Sequence, residues 1–533
     1  MQAFAVSSGA EASSLYHREL IGTAPRSSAP PDPPSPRDGA IASVRATLDD
    51  AGYTAAGITA IGVDPGLGVR HGDVPVLLQA LRPVEPLATL VRLFLLGQDV
   101  LSGELERRLG ERAEAFVEAG LLKVRGGRVA AAAALTPWRG RIVAHDPDPP
   151  GDLWPGHVTG PNPAAETLTQ LMITTPVLRA LDIGTGSGVL ALAASTFADR
   201  VIATDVNPTA LDYASLTAGL SGATNIETRE GSLFEPVGGA RFGLIVSNPP
   251  FVISPETDLL FRHSPMARDD LSATVVRHAA MHLEEGGYAI VLANWIQEPG
   301  GAWADVPASW THDTGCDRLL LLHGVEDPLA YAVRWNLRLQ QLAPDRYAET
   351  LASWLDYYRR EKIESLASGV VILRRRAGPN WLHGLELAGE THGTASAHLL
   401  AIVAAQDYLA RKPSDDDLLA TAFVIPAVHR LDQSLRSQGT EYVVEATSLS
   451  LEAGLGVSAT IEPELIPILL RLDGSQLLAE AVRDVAALTG ADPDGLADRA
   501  VALVLDLLRR GFAAPAAFGQ PARSSTNSGV PLS

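Results

Sequence analysis

The chain has 533 residues, 46% of them hydrophobic and 20% charged, a globular balance with room for about three domains. Its 42 basic against 62 acidic residues give a net charge of −20, which argues against a protein that coats nucleic acid non-specifically. A single cysteine, Cys316, excludes an intrachain disulfide framework and a cysteine-cluster zinc site. No apolar run reaches the roughly 18 residues of a membrane span, and the opening stretch lacks a basic-then-apolar leader, so a cytoplasmic protein without membrane association is expected.

Residues 1–40, with PRSSAPPDPPSPRDG, and residues 514–533 read as disordered tails, because they are rich in Pro and Ser and lack apolar periodicity. Residues 41–145 read as a first module. LATLVRLFLL (87–96) suits a buried helix, and SGELERRLGE and ERAEAFVEAGLL have helical spacing. Gly126-Gly127 then turns a hairpin. Helices followed by a hairpin suggest a winged-helix arrangement. Between Arg82 and Arg141 there are ten basic and seven acidic residues, and Lys123, Arg125 and Arg128 fall at the hairpin tip. They could touch a phosphate backbone or simply be solvated surface charges.

Residues 146–377 alternate strands and helices. VLRALDIG, RVIATDVN, NIETREGS, FGLIVSNP, GYAIVLANWI, CDRLLLLHG and GVVILRRR are seven candidate strands, with helices near 188–197, 208–219, 270–284 and 301–310. Alternating βα units imply a largely parallel, Rossmann-like α/β sheet covered on both faces. Residues 380–513 read as mixed and then helical, with LLRRGF loosely echoing FVEAGLL of the first module.

The first strand runs into Asp182-Ile183-Gly184-Thr185-Gly186-Ser187-Gly188. Glycines at 184, 186 and 188 let the backbone turn sharply and approach a ligand. Asp205 closes the next strand, 21 residues after Gly184, where a carboxylate can bind ribose hydroxyls. The GxGxG spacing departs from that of dinucleotide enzymes, which makes pyrophosphate a poorer ligand. Asp182 stands where it could hold a cationic amino-acid group. An ordinary tight βα turn is the alternative.

Asn248-Pro249-Pro250-Phe251 follows the fourth strand. A planar nitrogen is a weak nucleophile because its lone pair is delocalised. The Asn248 carboxamide oxygen and the Pro249 carbonyl can accept its two N–H bonds, orient it, and favour the positive charge that develops as it attacks a methyl group. Pro-Pro stiffens the loop, and Phe251 offers a flat face for a base or amide. His278 and His282 are four apart on a predicted helix, but two ligands make no metal site, so surface or packing roles are expected and no metal. Arg262, Arg268, Asp269 and Asp270 follow the motif in a loop that could select substrate, although a plain solvated loop is the expectation.

DIGTGSG, TDVNPTAL and SNPPF, in this order, resemble the class I S-adenosylmethionine-dependent N-methyltransferases with an Asn/Asp-Pro-Pro-Phe/Tyr motif. Release-factor glutamine methyltransferases and ribosomal RNA guanine methyltransferases are the nearest in pattern. The whole chain resembles an actinobacterial methyltransferase family. The resemblance covers about 150–377 and implies S-adenosyl-L-methionine as cofactor. It places Gly184, Gly186 and Gly188 under the methionine part, Asp182 towards its amino group, Asp205 on the ribose and Val206 against adenine. Ser232 and Leu233 of GSLF would face the adenine ring; many relatives carry Asp at the Ser232 position. Thr159, Gly160 and Glu166 would belong to an element lying over the cofactor. Asn248, Pro249, Pro250 and Phe251 would form the acceptor pocket, and Asn248 would also touch the cofactor. No general base is required, since positioning and desolvation supply the rate. The expected substrate is a macromolecule: a protein glutamine of release-factor type, or alternatively a ribosomal or transfer RNA base. Tyr is common at the Phe251 position in the former group and Phe in the latter. A non-catalytic cofactor- or RNA-binding regulator is the third reading.

Overall fold

The computed structural model describes residues 38–63, 74–81, 86–148, 153–256, 262, 268–425 and 429–516. The expected tails fall outside these residues except at their inner ends. There the expectation is corrected: Asp38 opens a helix, Asp38–Asp50, and Ala514–Pro515 is a short strand paired with Phe423–Val424. Apolar residues at the inner ends explain both, since Ala40, Ile41 and Ala514 are buried. The chain divides into two compact units, 1–161 with 186–189 and 207–224, and 162–185 with 190–206 and 225–533.

The second unit is built on one eight-stranded sheet. Its strands, labelled in chain order, are β1 (Val177–Ile183), β2 (Ala198–Asp205), β3 (Ile226–Glu230), β4 (Phe242–Ser247), β5 (Leu283–Ile296), β6 (Cys316–Glu326), β7 (Leu366–Arg375) and β8 (Leu382–Glu386). The spatial order is β3-β2-β1-β4-β5-β7-β6-β8. All neighbours are parallel except β7, which runs antiparallel to both β5 and β6. The mixed α/β fold is thus the expected Rossmann-like one. The seven predicted strands are present, and β8 adds an eighth at the edge. Near-continuous apolar runs such as FGLIV and AIVLA form these strands because both faces are covered. Leu181, Ile245, Val291 and Val371 are fully or almost fully buried in the core of this sheet. Asn162 caps helix Pro163–Leu171 and Asp327 caps helix Pro328–Trp335, each with proline in the first turn.

In the chain beyond β8, helices Ser396–Leu409, Leu478–Thr489 and Pro493–Arg510 accompany a long hairpin, His429–Gln438 with Glu441–Leu451. Buried Asp317 on β6 takes Arg374 at 2.5 Å and Arg376 at 2.9 Å, and Arg374 also reaches Asp407 at 2.5 Å. That network fixes helix Ser396–Leu409 to the sheet.

In the first unit, helix Pro86–Leu90 continues as a π-helical turn, Val91–Leu95. Strand Val100–Leu101, helices Ser102–Leu109 and Arg112–Glu118, and strands Leu122–Arg125 and Arg128–Ala131 follow. The hairpin turns at Gly126 and Gly127, with φ of 56° and 77°, and Val100–Leu101 pairs with its second strand. A second hairpin, Ala134–Trp138 with Arg141–His145, packs on helix Pro208–Leu220. Thr217 Oγ1 accepts from Ala144 N at 3.0 Å, and the Tyr213 hydroxyl donates to Asp146 at 2.8 Å.

Candidate active site

The sheet order reverses between β1 and β4: the chain leaves β1 towards β2 and β3 on one side and later returns to β4 on the other. Such a switch point leaves a crevice at the carboxyl ends of the strands. Register brings the sequence motifs to the same edge. Ile183 of β1 pairs with Thr204 of β2 and with Ser247 of β4. Gly184, Asp205 and Asn248 are therefore the next residues out of three adjacent strands. Ser247 is fully buried, and its hydroxyl donates to the Ile183 carbonyl at 3.0 Å.

Gly184 has φ of 69°, and a Cβ there would meet nothing within 4 Å. Its N–H and that of Thr185 both donate to the Thr204 carbonyl at 2.9 Å, which folds the loop back over β2. Asp182 is fully buried. Its Oδ2 accepts from the Thr185 hydroxyl at 2.7 Å and from Ala191 N at 2.9 Å. Its Oδ1 is buried without a hydrogen-bond partner among the described residues. Burial pushes the carboxyl up to about 7, against the lowering effect of those two donors, and nearby Asp205 adds to the rise. Asp182 thus ties the loop to the following helix with one oxygen, and its other oxygen has no hydrogen-bond partner among the described residues. Sequence reasoning gave Asp182 a cationic ligand and missed Thr185, although its place three residues after Asp182 was there to read.

Within the first unit, Gly186 and Gly188 have φ of 54° and 81°. Gly186 faces open space, whereas a Cβ on Gly188 would lie 3.0 Å from the Ala214 Cα. Ser187 donates to the Thr159 carbonyl at 2.8 Å. A Cβ on Gly160 would come within 2.5 Å of the His145 ring, so packing alone demands glycine there. In the second unit, Glu166 sits in the first turn of its helix and accepts from Gln170 at 3.4 Å.

Asp205 is half-buried at the end of β2, and its carbonyl accepts from Gly231 N at 3.0 Å. Val206 is 53% exposed, an apolar side chain left open beside that carboxylate. Ser232 is exposed, and Leu233 holds φ of 49°, a strained value for a branched residue, in the loop after β3.

Asn248 is half-buried and Pro249 buried. Phe251 meets the Trp335 ring edge-on at 5.9 Å, so part of its surface is already covered. Ile253 N donates to the Tyr331 hydroxyl at 3.1 Å, and the Tyr358 hydroxyl donates to the Ile253 carbonyl at 2.8 Å. Asn294, buried on β5, donates to the same Tyr331 oxygen at 2.6 Å. The loop after β4 is therefore clamped by the helices inserted between β6 and β7, Pro328–Trp335 and Pro344–Arg360. Arg262, expected to be solvated, instead lies over Trp335 and Trp354 at 5.8 and 5.5 Å and donates to the Trp335 carbonyl at 2.5 Å. Arg268 donates to the Glu361 carbonyl at 3.3 Å, and burial raises the Asp269 carboxyl above its ordinary range. Both line an open cleft with Ile296, Glu298, Asp305 and Trp310 at the carboxyl end of β5. Sequence reasoning missed Tyr331, Trp335 and Tyr358; the aromatic richness of 331–358 was the available signal. His282 stacks on Phe234 at 4.5 Å and His278 meets the same ring at 5.8 Å. Among the described residues no group of three potential ligands could hold a metal ion, and no helix is long and apolar enough to cross a membrane.

Residues 160–299 match the family model described as methyltransferase small domain. With the switch point and the loops that surround it, this segment is a class I S-adenosylmethionine-dependent methyltransferase domain. Residues 50–132 match a model described as domain of unknown function (DUF7059). The chain is 36% identical over 131 residues to the release factor glutamine methyltransferase of Xylella fastidiosa, which is 22% of this chain and 48% of that relative. It is 32% identical over 176 residues to the release factor glutamine methyltransferase of Cereibacter sphaeroides (30% and 61%). It is 35% identical over 126 residues to the ribosomal protein uL3 glutamine methyltransferase of Xanthomonas campestris (21% and 41%). The chain spans about half the length of the curated relatives it matches. The residues present fit the cofactor: Gly184 and Gly186 face open space, Asp182 holds out an unpartnered buried oxygen, and Val206 leaves an apolar face uncovered.

Proposed function

We propose that the chain transfers a methyl group to the side-chain amide nitrogen of a glutamine in a protein of the translation machinery. The observation that carries this reading is the register Ile183–Ser247, which starts the Asn248 loop beside the glycine loop. The glutamine specificity of the named relatives supports the choice of acceptor. Asp182, Gly184, Gly186 and Gly188 would hold the methionine part of S-adenosylmethionine, Asp205 the ribose, and Val206, Ser232 and Leu233 the adenine. When bound, the cofactor supplies an electrophilic methyl on a sulfonium. The Asn248 carboxamide oxygen and the Pro249 carbonyl accept the two amide N–H bonds and hold the nitrogen in line for attack. Pro250 keeps that pair of acceptors rigid, and Phe251 gives the planar amide a face to lie on. Trp335 and Tyr331 pack behind the loop and keep it from yielding when the acceptor enters.

A basic hairpin would favour RNA, yet exposed Arg128 is spread against Asp99 at 3.9 Å, and helix Arg112–Glu118, just before the hairpin, presents Glu114 and Glu118 against Arg112. These charges favour a protein substrate. The test is transfer from radiolabelled S-adenosylmethionine to an extract of cells lacking the protein, with wild type and Asn248→Ala in parallel. Label that protease removes, nuclease leaves, and Asn248→Ala fails to deposit is the expected result. Nuclease-sensitive label would assign an RNA base instead. Equal labelling by both proteins would overturn the site, and cofactor binding without any transfer would make the chain a regulator.

A further inference from the structure

The hairpin His429–Gln438 with Glu441–Leu451 is ten pairs long, yet only its root is packed. At the root Thr447 and Leu449 are fully buried. Side chains alternate across a strand, so the face that carries Leu431 and Leu449 at the root continues outwards through Leu435. Glu445 is an extra residue between Ala446, opposite Ser434, and Val444, opposite Leu435, so Val444 and Tyr442 join that same face. Beyond the Gln433–Thr447 pair, which is hydrogen-bonded at 3.2 Å, apolar side chains resume on this face and stand in solvent: Leu435 is 58% exposed, Val444 40% and Tyr442 74%. The edges are open as well. Ala459–Thr460 covers only Ser448 and Leu449 of the second strand, and among the described residues no strand pairs with the outer edge of His429–Gln438. A free two-stranded arm is marginal in water, and an open apolar edge is a feature proteins normally cover.

We propose that this arm is a self-association surface: two copies of the chain pair their His429–Gln438 edges antiparallel about a two-fold axis, forming one four-stranded sheet. The charge pattern selects a second copy as the occupant. With Ser434 opposite Ser434, Asp432 of each copy stands opposite Arg436 of the other, twice over. Within one arm Arg430 already meets Asp432 at 2.8 Å and Arg436 meets Glu445 at 3.4 Å, so pairing produces rows of alternating sign. The same internal pairs leave no basic face for a polyanion. Leu435, Val444 and Tyr442 of both copies then share one side of a sheet wide enough to be stable.

Sedimentation velocity of the full-length chain over a wide concentration range tests this. The expected result is a monomer–dimer equilibrium that Leu435→Lys with Tyr442→Lys weakens at least about tenfold in Kd, without loss of the folded circular dichroism spectrum, because both side chains are exposed. Asp432→Arg weakens the dimer similarly, and Asp432→Arg with Arg436→Asp restores it. A chain that stays monomeric throughout overturns the proposal. So does a dimer indifferent to the lysine pair, or one that the charge exchange fails to restore.

Discussion

Asp182 allows a test of the loop that needs no substrate. Burial holds its carboxyl at about 7 in the folded chain, whereas an unfolded Asp titrates near 4. Between those values the folded state keeps a proton that the unfolded state releases. The contribution to stability is therefore full below about pH 4 and is lost as pH rises to about 7. Three pH units at roughly 1.4 kcal/mol each give a loss of about 4 kcal/mol across the whole window, of which about 3 kcal/mol lies between pH 5 and 8. Asp182→Asn keeps an oxygen for Thr185 and Ala191 but cannot titrate. Its amide nitrogen would stand where Oδ1 now lacks a partner, and that misfit shifts stability by an amount that does not depend on pH. The difference between wild type and variant therefore isolates the ionisation. Denaturant unfolding followed by fluorescence of Trp295 and Trp310, both buried in the core of the sheet, reports the relevant unit. We expect wild type to lose about 3 kcal/mol relative to Asp182→Asn on going from pH 5 to pH 8. Curves that stay parallel within about 0.5 kcal/mol would show that the carboxylate is solvated, and the argument that it awaits a cationic ligand would fall with it.

Other perturbations separate the roles of neighbouring residues. Asn248→Ala should lower methyl transfer by about 100-fold or more, as removal of a preorganised polar contact does, and lower cofactor affinity in equilibrium dialysis far less; a matching loss of affinity would place Asn248 in cofactor binding alone. Tyr331→Phe strips the shared acceptor from Ile253 N and Asn294, so two buried donors lose their partner. It should cost about 2–3 kcal/mol in denaturant unfolding and reduce turnover more than cofactor binding; unchanged turnover would show that the clamp is merely structural. Gly188→Val, forced to φ of 81° with its Cβ 3.0 Å from Ala214, should lower the thermal midpoint by several degrees. Gly126→Asn, at φ of 56° with open space around it, should change it little, and equal effects of the two would remove the packing explanation.

The parts of the candidate site legible in the sequence are those in which a strand end and the candidate residues are contiguous. Asp182 to Thr185, Asp205 and SNPPF each sit directly at the end of an apolar run, and the sheet brings these strand ends together because parallel strands end at one edge. What supports them could not be read this way. The clamp on the loop after β4 joins Ile253 to Tyr331 across 78 residues, and Tyr213 meets Asp146 across 67. Such contacts are fixed by packing, and no local spacing signals them. The Tyr213–Asp146 bond also explains why helix Pro208–Leu220, expected as an ordinary cover of the sheet, packs on the hairpin Ala134–Trp138 with Arg141–His145: its Tyr213, Leu216 and Leu220 join the core of the first unit. The arm His429–Leu451 was hidden for the opposite reason. RLDQSLRSQ carries polar residues on both faces, so it lacks the period-two alternation that a strand packed on one side shows. A strand without an inward face is what remains when packing ends partway along a hairpin. The failure of the sequence signal and the exposure of Leu435 and Tyr442 thus have one physical origin: among the described residues no strand or helix covers the outer half of the arm.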